Sequence, residues 1–130
     1  MSNVSDFSQD EELLGQFLDY ANECTAEMRT FMDQLKAAGS SDALIDQLYT
    51  GAHNLKGMSS SFGFSLMTDV AGLMCLYIKK KTSGHEADLL DSLLKAMETI
   101  LAHKILGDGG EKGVQLKQRL TEKVDTALAA

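Results

Sequence analysis

The residues best suited to chemistry stand in the segment GAHNLKGMSSSFGF, residues 51–64, where a lysine and a glycine closely follow His53. A neutral imidazole nitrogen is a competent nucleophile near neutral pH, because the ordinary pKa of histidine is about 6.5. Lys56 adds a positive charge that suits an anion attached to the ring. These residue types predict capture and release of a phosphoryl group, with catalysis by positioning and charge neutralisation.

The direction of the His53 side chain follows from the helix predicted around it. With about 100° of rotation per residue, one side of this helix is apolar and small, and His53 falls on the side away from it. The residues that define the buried side are Leu44, Leu48, Ala52, Leu55, Ser59 and Phe62. We therefore expect an exposed ring and not a histidine of the core.

The neighbours of His53 on its helix face are the residues three, four and seven positions away. They are Tyr49, Thr50, Lys56, Gly57 and Ser60. Glycine inside a helix costs about 1 kcal/mol relative to alanine, and no predicted break explains Gly57. The bare backbone at this position leaves room for a bulky partner to approach the imidazole.

The composition of the chain predicts an all-α fold. Leucine occurs 19 times, valine and isoleucine together eight times, and proline never. The chain therefore favours residues that lose little rotamer freedom in a helix over the β-branched residues that suit strands. A length of 130 residues fits one domain spanning 1–130, with residues 1–7 expected to be disordered.

Five helices are predicted from caps, breaks and apolar spacing. The first begins near Ser8 and Glu11, an S-x-x-E capping box, and ends near Ala38; the second begins at Ser40 or Ser41 and ends near Phe62; the third covers about 64–82; the fourth begins at a second S-x-x-E pair, Ser83 and Glu86; the fifth follows the break at 107–113. Short connections favour antiparallel neighbours, so we expect an up-and-down four-helix bundle with an additional C-terminal helix.

Charge and hydropathy exclude several classes of function. A net charge of -7 argues against nucleic-acid binding, which depends on lysine and arginine. No apolar run approaches the roughly 20 residues of a membrane span, and the polar N-terminus does not resemble a signal peptide. The expected location is the cytoplasm, where Cys24 and Cys75 remain reduced and buried.

The chain lacks the motifs of a complete kinase or a metal enzyme. It has no P-loop or glycine-rich nucleotide loop, so no autonomous kinase activity and no cofactor are expected. His85, placed in the first turn of the fourth helix, and His103, placed near its end, form no recognisable metal motif. The methionines are expected to fill gaps in the core. Metal and phosphate must therefore come from a partner.

The segment His53-Asn54-Leu55-Lys56-Gly57, with Gly63 ten residues after the histidine, resembles the H-x-L-K-G signature of histidine-containing phosphotransfer (HPt) domains. The stretch LYTGAHNLKGMSSSFGFSLMTDVAGLM is most similar to the phosphotransfer domain of chemotaxis-type histidine kinases.

This resemblance implies that His53 carries a phosphoryl group on Nε2 and exchanges it with an aspartate of a receiver domain, which holds the Mg²⁺. It implies that Lys56 neutralises the phosphoryl charge and that Gly57 admits the receiver. It also implies a docking surface formed by Tyr49, Ser60 and Phe64. The partners are response-regulator receivers, a hybrid histidine kinase, or both.

One position departs from the chemotaxis kinases. Their third helix carries a glutamate, 22 residues after the histidine, that hydrogen-bonds the ring, and here that residue is Cys75. A thiol is a poor acceptor by comparison. A relay between receivers therefore fits better than direct phosphorylation by an ATP-binding domain.

Two other interpretations stay open. The chain could be a non-catalytic binding module that sequesters a response regulator through the same face. An autonomous helical enzyme or metal protein is the third interpretation, which the missing motifs disfavour. No sustained second apolar stripe demands a dimer, so we expect a monomer.

Overall fold

The computed structural model describes residues 10–39 and 41–130, and every regular element within them is helical. The elements are α1 (Glu11–Ala38), α2 (Asp42–Ser59), a 3-10 turn (Ser60–Phe62), α3 (Ser65–Lys80), α4 (Ala87–Ala102) and α5 (Gly110–Ala129). These five helices confirm the all-α prediction. The expected disorder of residues 1–7 and the capping roles of Ser8 and Ser40 lie outside the described residues.

Helices α1 to α4 form an antiparallel bundle. Helix α1 packs against α2 and α4, and α3 packs against the same two helices. In the α1–α4 pair, Arg29 contacts Glu98 whereas Lys36, further along α1, contacts the earlier residue Asp91. Rising numbers on one helix match falling numbers on the other, so these neighbours run in opposite directions.

The additional helix α5 lies mainly on α3. A Cβ atom at Gly113 would contact Leu66, and one turn further along both helices Lys117 Nζ lies 3.1 Å from Asp69 Oδ2. Numbers rise together on the two helices, so α5 runs parallel to α3. Leu120 and Val124 bury the inner face of α5, as its apolar spacing predicts.

The core consists of leucine, methionine and aromatic side chains from all four bundle helices. Its fully buried large residues are Phe17, Met28, Met32, Leu48, Leu55, Phe64, Leu66, Met67, Met74, Tyr77, Leu90 and Leu93. Methionine is flexible enough to fill irregular gaps, and the structure buries Met28, Met32, Met67, Met74 and Met97 as expected. No helix in the part of the chain that the structure describes is long and apolar enough to cross a bilayer.

The start and end of α2 follow local signals in the sequence. The hydroxyl of Ser41 accepts a hydrogen bond from the Leu44 N–H, which caps the helix. The α-helix ends at Ser59 and tightens into a 3-10 turn up to Phe62. Gly63 then adopts a left-handed conformation with φ of 82°, which reverses the chain at little cost because glycine has no Cβ. The Gly63 carbonyl also accepts a hydrogen bond from the Gly107 N–H, which joins this turn to the connection between α4 and α5.

The first helix begins at Glu11, near the predicted start, whereas the predicted start of the fourth helix is wrong. The N-cap of α1 is Asp10, whose carboxylate accepts from the Leu13 N–H. Helix α4 begins at Ala87, and the N–H of Glu86 donates to the Tyr77 hydroxyl and not to a capping serine. The hydroxyl of Tyr77 in α3 thus accepts a hydrogen bond from the backbone N–H that directly precedes α4.

The predicted position of His85 is also wrong. It lies in the connection before α4 and not in the first turn of that helix. Its Nε2 lies 3.0 Å from the Ile78 carbonyl oxygen, and its ring packs edge-on against Tyr77. These contacts give His85 a structural role in the connection between α3 and α4.

Candidate functional site

His53 lies on the exposed face of α2, which confirms the direction predicted from helical rotation. The opposite face of α2 is buried in the bundle through Ile45, Leu48, Ala52, Leu55 and Ser59. Among the described residues, no side chain or backbone group is hydrogen-bonded to the His53 ring. The exposed ring is therefore open to solvent.

The ring of His53 stacks on Tyr49, one turn earlier in the same helix. The two ring centroids lie 5.9 Å apart with an angle of 14° between the planes. Nζ of Lys79, from the last turn of α3, lies 5.8 Å from the Tyr49 ring centroid. Tyr49 is half-buried between these two groups, so it is both a neighbour of the imidazole and a contact with α3.

Lys56 extends from α2 across the surface of α3. A Cβ atom added to Gly72 would lie 3.5 Å from Lys56 Cδ, which places the lysine stem over that glycine. The Lys56 carbonyl accepts a hydrogen bond from Thr68 Oγ1 at 3.5 Å. Long cationic side chains commonly bury their stems and keep the charge in water. The half-buried stem limits where the ammonium of Lys56 can move.

Gly57 and Ser60 leave the surface beyond His53 open. A Cβ atom at Gly57 would meet no heavy atom within 4 Å, so packing inside the chain does not require glycine there. Ser60 is exposed at the start of the 3-10 turn. The helix surface next to His53 therefore has no side chain at Gly57 that would obstruct a molecule approaching the imidazole.

Phe64 does not belong to this surface. Its side chain is only 1% exposed, and its ring lies 5.6 Å from that of Phe17 in α1. The prediction that Phe64 helps to dock a partner is therefore wrong, because aromatic packing against α1 buries the residue. Its role is to fix the turn between α2 and α3.

Cys75 occupies α3 close to the two lysines of the site. Burial raises the pKa of the Cys75 thiol, whereas the charges of Lys56 and Lys79 act in the opposite direction. The thiol is therefore neutral at pH 7, and both ammonium groups lie near it without a carboxylate at this position. Lys56, three residues after His53 on α2, and Lys79, which contacts the Tyr49 ring, thus place two positive charges on this part of the surface.

Sequence reasoning missed Lys79. A run of lysines such as Lys79, Lys80 and Lys81 is typical of a solvated helix end, because lysines are favourable near a helix C-terminus. Lys79 nevertheless lies four residues after Cys75 and so shares its helix face. That spacing was the available signal that one of the three lysines points toward α2.

The comparisons with known proteins give the family. A family model named Hpt domain matches residues 12–107, which include most of α1 and all of α2 to α4. The chain belongs to the Hpt domain family. Hpt domains serve in histidine phosphotransfer within phosphorelays, together with response regulators and kinases. No solved structure matches the chain. Within residues 10–39 and 41–130, no group of three or more potential metal ligands occurs.

Proposed function

We propose that His53 accepts a phosphoryl group from the aspartyl phosphate of one receiver domain and passes it to the aspartate of another. The observation that carries this proposal is the exposed ring of His53, with no hydrogen-bonded partner among the described residues and an open surface over Gly57. The residues in the scheme come from α2, the 3-10 turn after it and α3 of one chain, so a monomer suffices. The location that we propose is the cytoplasm.

The reaction needs one bond to form as another breaks. The lone pair of His53 Nε2 attacks phosphorus, the N–P bond forms, and the P–O bond to the aspartate breaks. The electron pair leaves with the aspartate carboxylate, and the other ring nitrogen holds the ring proton. Transfer to the second receiver runs the same steps in reverse. Because the phosphoryl group carries its charge on three oxygens, the protein contributes mainly position and positive charge.

Lys56 supplies positive charge from within the domain. Lys56 is three residues after His53 on α2, and its stem lies over Gly72 of α3, so the ammonium has little freedom to lose when it binds an anion. A cation close to an anion favours the phosphorylated state. Gly57 lets the receiver bring its aspartate into line with the ring, and Tyr49 and Ser60 border the area that the receiver covers.

The absence of a carboxylate at Cys75 supports transfer between receivers over direct phosphorylation by ATP. An aspartyl phosphate is an activated donor, so the imidazole needs less help from a general base. A hybrid histidine kinase, which ends in a receiver, is the partner class that fits the upstream step. The downstream partner is a response regulator.

The test uses a receiver domain labelled on its aspartate. The wild-type chain should acquire label that is labile in acid and stable in base, as a phosphoramidate is. His53→Gln should abolish the label, whereas His103→Gln, which changes another exposed histidine, should retain it. Label that persists in His53→Gln would contradict the site. Binding of the receiver without transfer would support the sequestering module.

A further inference from the structure

Three side chains from two helices form a continuous series at the site. The Lys79 ammonium contacts the Tyr49 ring at 5.8 Å, and that ring stacks on His53 at 5.9 Å. Cation–π contacts reach about 6 Å, and offset aromatic pairs have centroid separations of about 4.5–7 Å. Both distances fall within these ranges, so each contact is attractive.

The imidazole needs such a support because it has no hydrogen bond among the described residues. Exposed side chains change rotamer in picoseconds to nanoseconds, so a free ring would present its lone pair in many directions. In-line transfer depends on alignment of the attacking atom, and a small misplacement slows such reactions strongly. A planar neighbour that favours one ring orientation raises the fraction of productive encounters.

Tyr49 can hold the imidazole only if its own ring is held. Its half-buried ring packs against the core, and Lys79 adds a contact from α3. The negative face of the phenol attracts the ammonium, which limits rotation of the tyrosine. The connection between α3 and the reactive ring therefore passes through Tyr49.

We propose that Lys79 and Tyr49 are positioning residues for His53, with the ammonium fixing the phenol ring and the phenol ring fixing the plane of the imidazole. The inference rests on the proposed function, since the positioned atom is the phosphoryl acceptor. It goes beyond that function because it assigns Lys79 to the site and gives Tyr49 a role inside the domain in addition to docking. Lys79 also adds a second positive charge close to Cys75, beside that of Lys56.

Lys80 provides a matched control. It is the next residue of α3, it is exposed, and it carries the same charge in the same last helical turn. Lys79→Met and Lys80→Met therefore change the net charge equally, and only the first removes the contact with Tyr49. Lys79→Arg retains a cation that stacks on aromatic rings and should act as the rescuing variant. Tyr49→Phe keeps the ring, and Tyr49→Leu removes it.

Two readouts on the full chain test the inference. The first is the NMR signals of the His53 ring in the unphosphorylated protein, which report the ring current of Tyr49 without any transfer. The second is the rate of transfer from a phosphorylated receiver. Lys79→Met should shift the His53 signals and slow transfer about three- to fivefold, whereas Lys80→Met should change neither. Tyr49→Leu should slow transfer about fivefold to tenfold and make Lys79→Met silent in the double variant.

The two readouts separate the possible failures. Unshifted His53 signals in Lys79→Met, equal shifts in Lys80→Met, or shifted signals with an unchanged rate would each overturn the positioning role. Recovery of both readouts in Lys79→Arg and in Tyr49→Phe supports it. If the wild-type chain takes no phosphoryl group at all, the proposed function fails, and the ring signals alone decide whether Lys79 orients His53.

Discussion

Gly57 lies one turn beyond His53, at a position where the packing of the chain leaves room for a larger side chain. A Cβ atom there meets nothing within 4 Å, and the surrounding helix would be more stable with alanine. Selection of glycine for internal packing is therefore not an adequate explanation. The geometry instead favours a requirement imposed from outside the chain, by a partner that approaches the backbone beside the imidazole.

Substitution of Gly57 should separate stability from transfer. Gly57→Ala should raise the free energy of unfolding by about 1 kcal/mol, because alanine is the better helix former. Gly57→Leu should also fold stably yet slow transfer from a receiver by about tenfold or more, since it displaces the incoming aspartate. Thermal unfolding and transfer rates measure the two effects.

Gly15 in α1 is the matched control for this prediction. It too lies inside a helix, and a Cβ atom there meets nothing within 4 Å. Gly15→Leu should therefore give a similar gain in stability with a wild-type transfer rate. Equal rates in the two leucine variants would show that Gly57 does not serve access to His53.

The second prediction at the scale of residues concerns Cys75 and phosphorylation by a kinase. Cys75→Glu should accelerate phosphorylation of the domain by a histidine kinase with ATP by about tenfold, because a hydrogen bond to a charged group contributes about 1.5 kcal/mol. Lys56 and Lys79 lie near enough to stabilise the new carboxylate. Cys75→Gln, similar in length but uncharged, is the control. A kinase that phosphorylates the glutamate and wild-type forms equally fast would show that no carboxylate is needed there.

At the scale of elements, an ionic cluster joins α1 to α4. Asp91 is only 4% exposed, and its carboxylate contacts Arg29, Lys36 and Lys95. Arg29 also pairs at 2.8 Å with Glu98, which lies about two turns after Asp91 on α4. A buried carboxylate is costly unless cations and hydrogen bonds compensate it, and here three cations do so.

This cluster predicts how stability depends on pH. Burial by itself would raise the pKa of Asp91, but hydrogen bonds from Lys36 and Arg29 prevail and lower it from 3.8 to about 2. A carboxyl group with a depressed pKa stabilises the folded state above its unfolded pKa. That contribution, on the order of 2 kcal/mol, should be lost as the pH falls from about 4 to about 2.

Urea unfolding at several pH values between 2 and 5 measures the effect. Asp91→Asn should be less stable than wild type at pH 7 and should lose less stability on acidification. Asp33→Asn serves as the control, because the Asp33 side chain is 66% exposed while still near Arg29. An Asp91→Asn variant as acid-sensitive as wild type would contradict the assignment.

The sequence predicted those features that depend on neighbours within one helix. The exposure of His53 followed from helical rotation, and the Ser41 cap followed from a serine before an apolar run. The features that it missed depend on residues distant in sequence. Tyr77 supplies the acceptor at the start of α4, and Phe17 buries Phe64. No local pattern reports such contacts, because they arise only when the helices pack.

The same distinction applies to the candidate site. His53, Lys56 and Gly57 could be grouped from their spacing on one helix. Lys79 could not, since its contact with Tyr49 requires the antiparallel packing of α2 and α3. The ion pairs of Asp91 with Arg29 and Lys36 likewise join residues more than 50 positions apart in the sequence.

At the scale of the whole molecule, α3 packs against three helices, α2, α4 and α5. It contacts α2 through Lys79 and Gly72, and it contacts α5 through Leu66 and Asp69. The Hpt match ends at residue 107, before α5 begins. Helix α5 therefore lies outside the matched residues and packs on the outside of α3. Its contacts with Leu66 and Asp69 are not among the contacts described around His53.

Gly113 allows this separation to be measured. A Cβ atom there would overlap the Asp108 carbonyl oxygen and press on Leu66, so Gly113→Ala should lower the free energy of unfolding by about 1–3 kcal/mol. The rate of transfer to folded molecules should stay at the wild-type value, because neither α2 nor the Lys79 end of α3 is disturbed. Urea unfolding and receiver assays below the unfolding transition give the two quantities.

Val114→Ala, at the next position, provides the comparison. Val114 is 49% exposed, so this change should alter stability by no more than about 0.5 kcal/mol. Slower transfer in folded Gly113→Ala, with Val114→Ala unaffected, would mean that α5 acts on His53 through α3. Helix α3 contacts both α5 and the residues around His53, so that result would show that α5 affects the reaction as well as the stability of the fold.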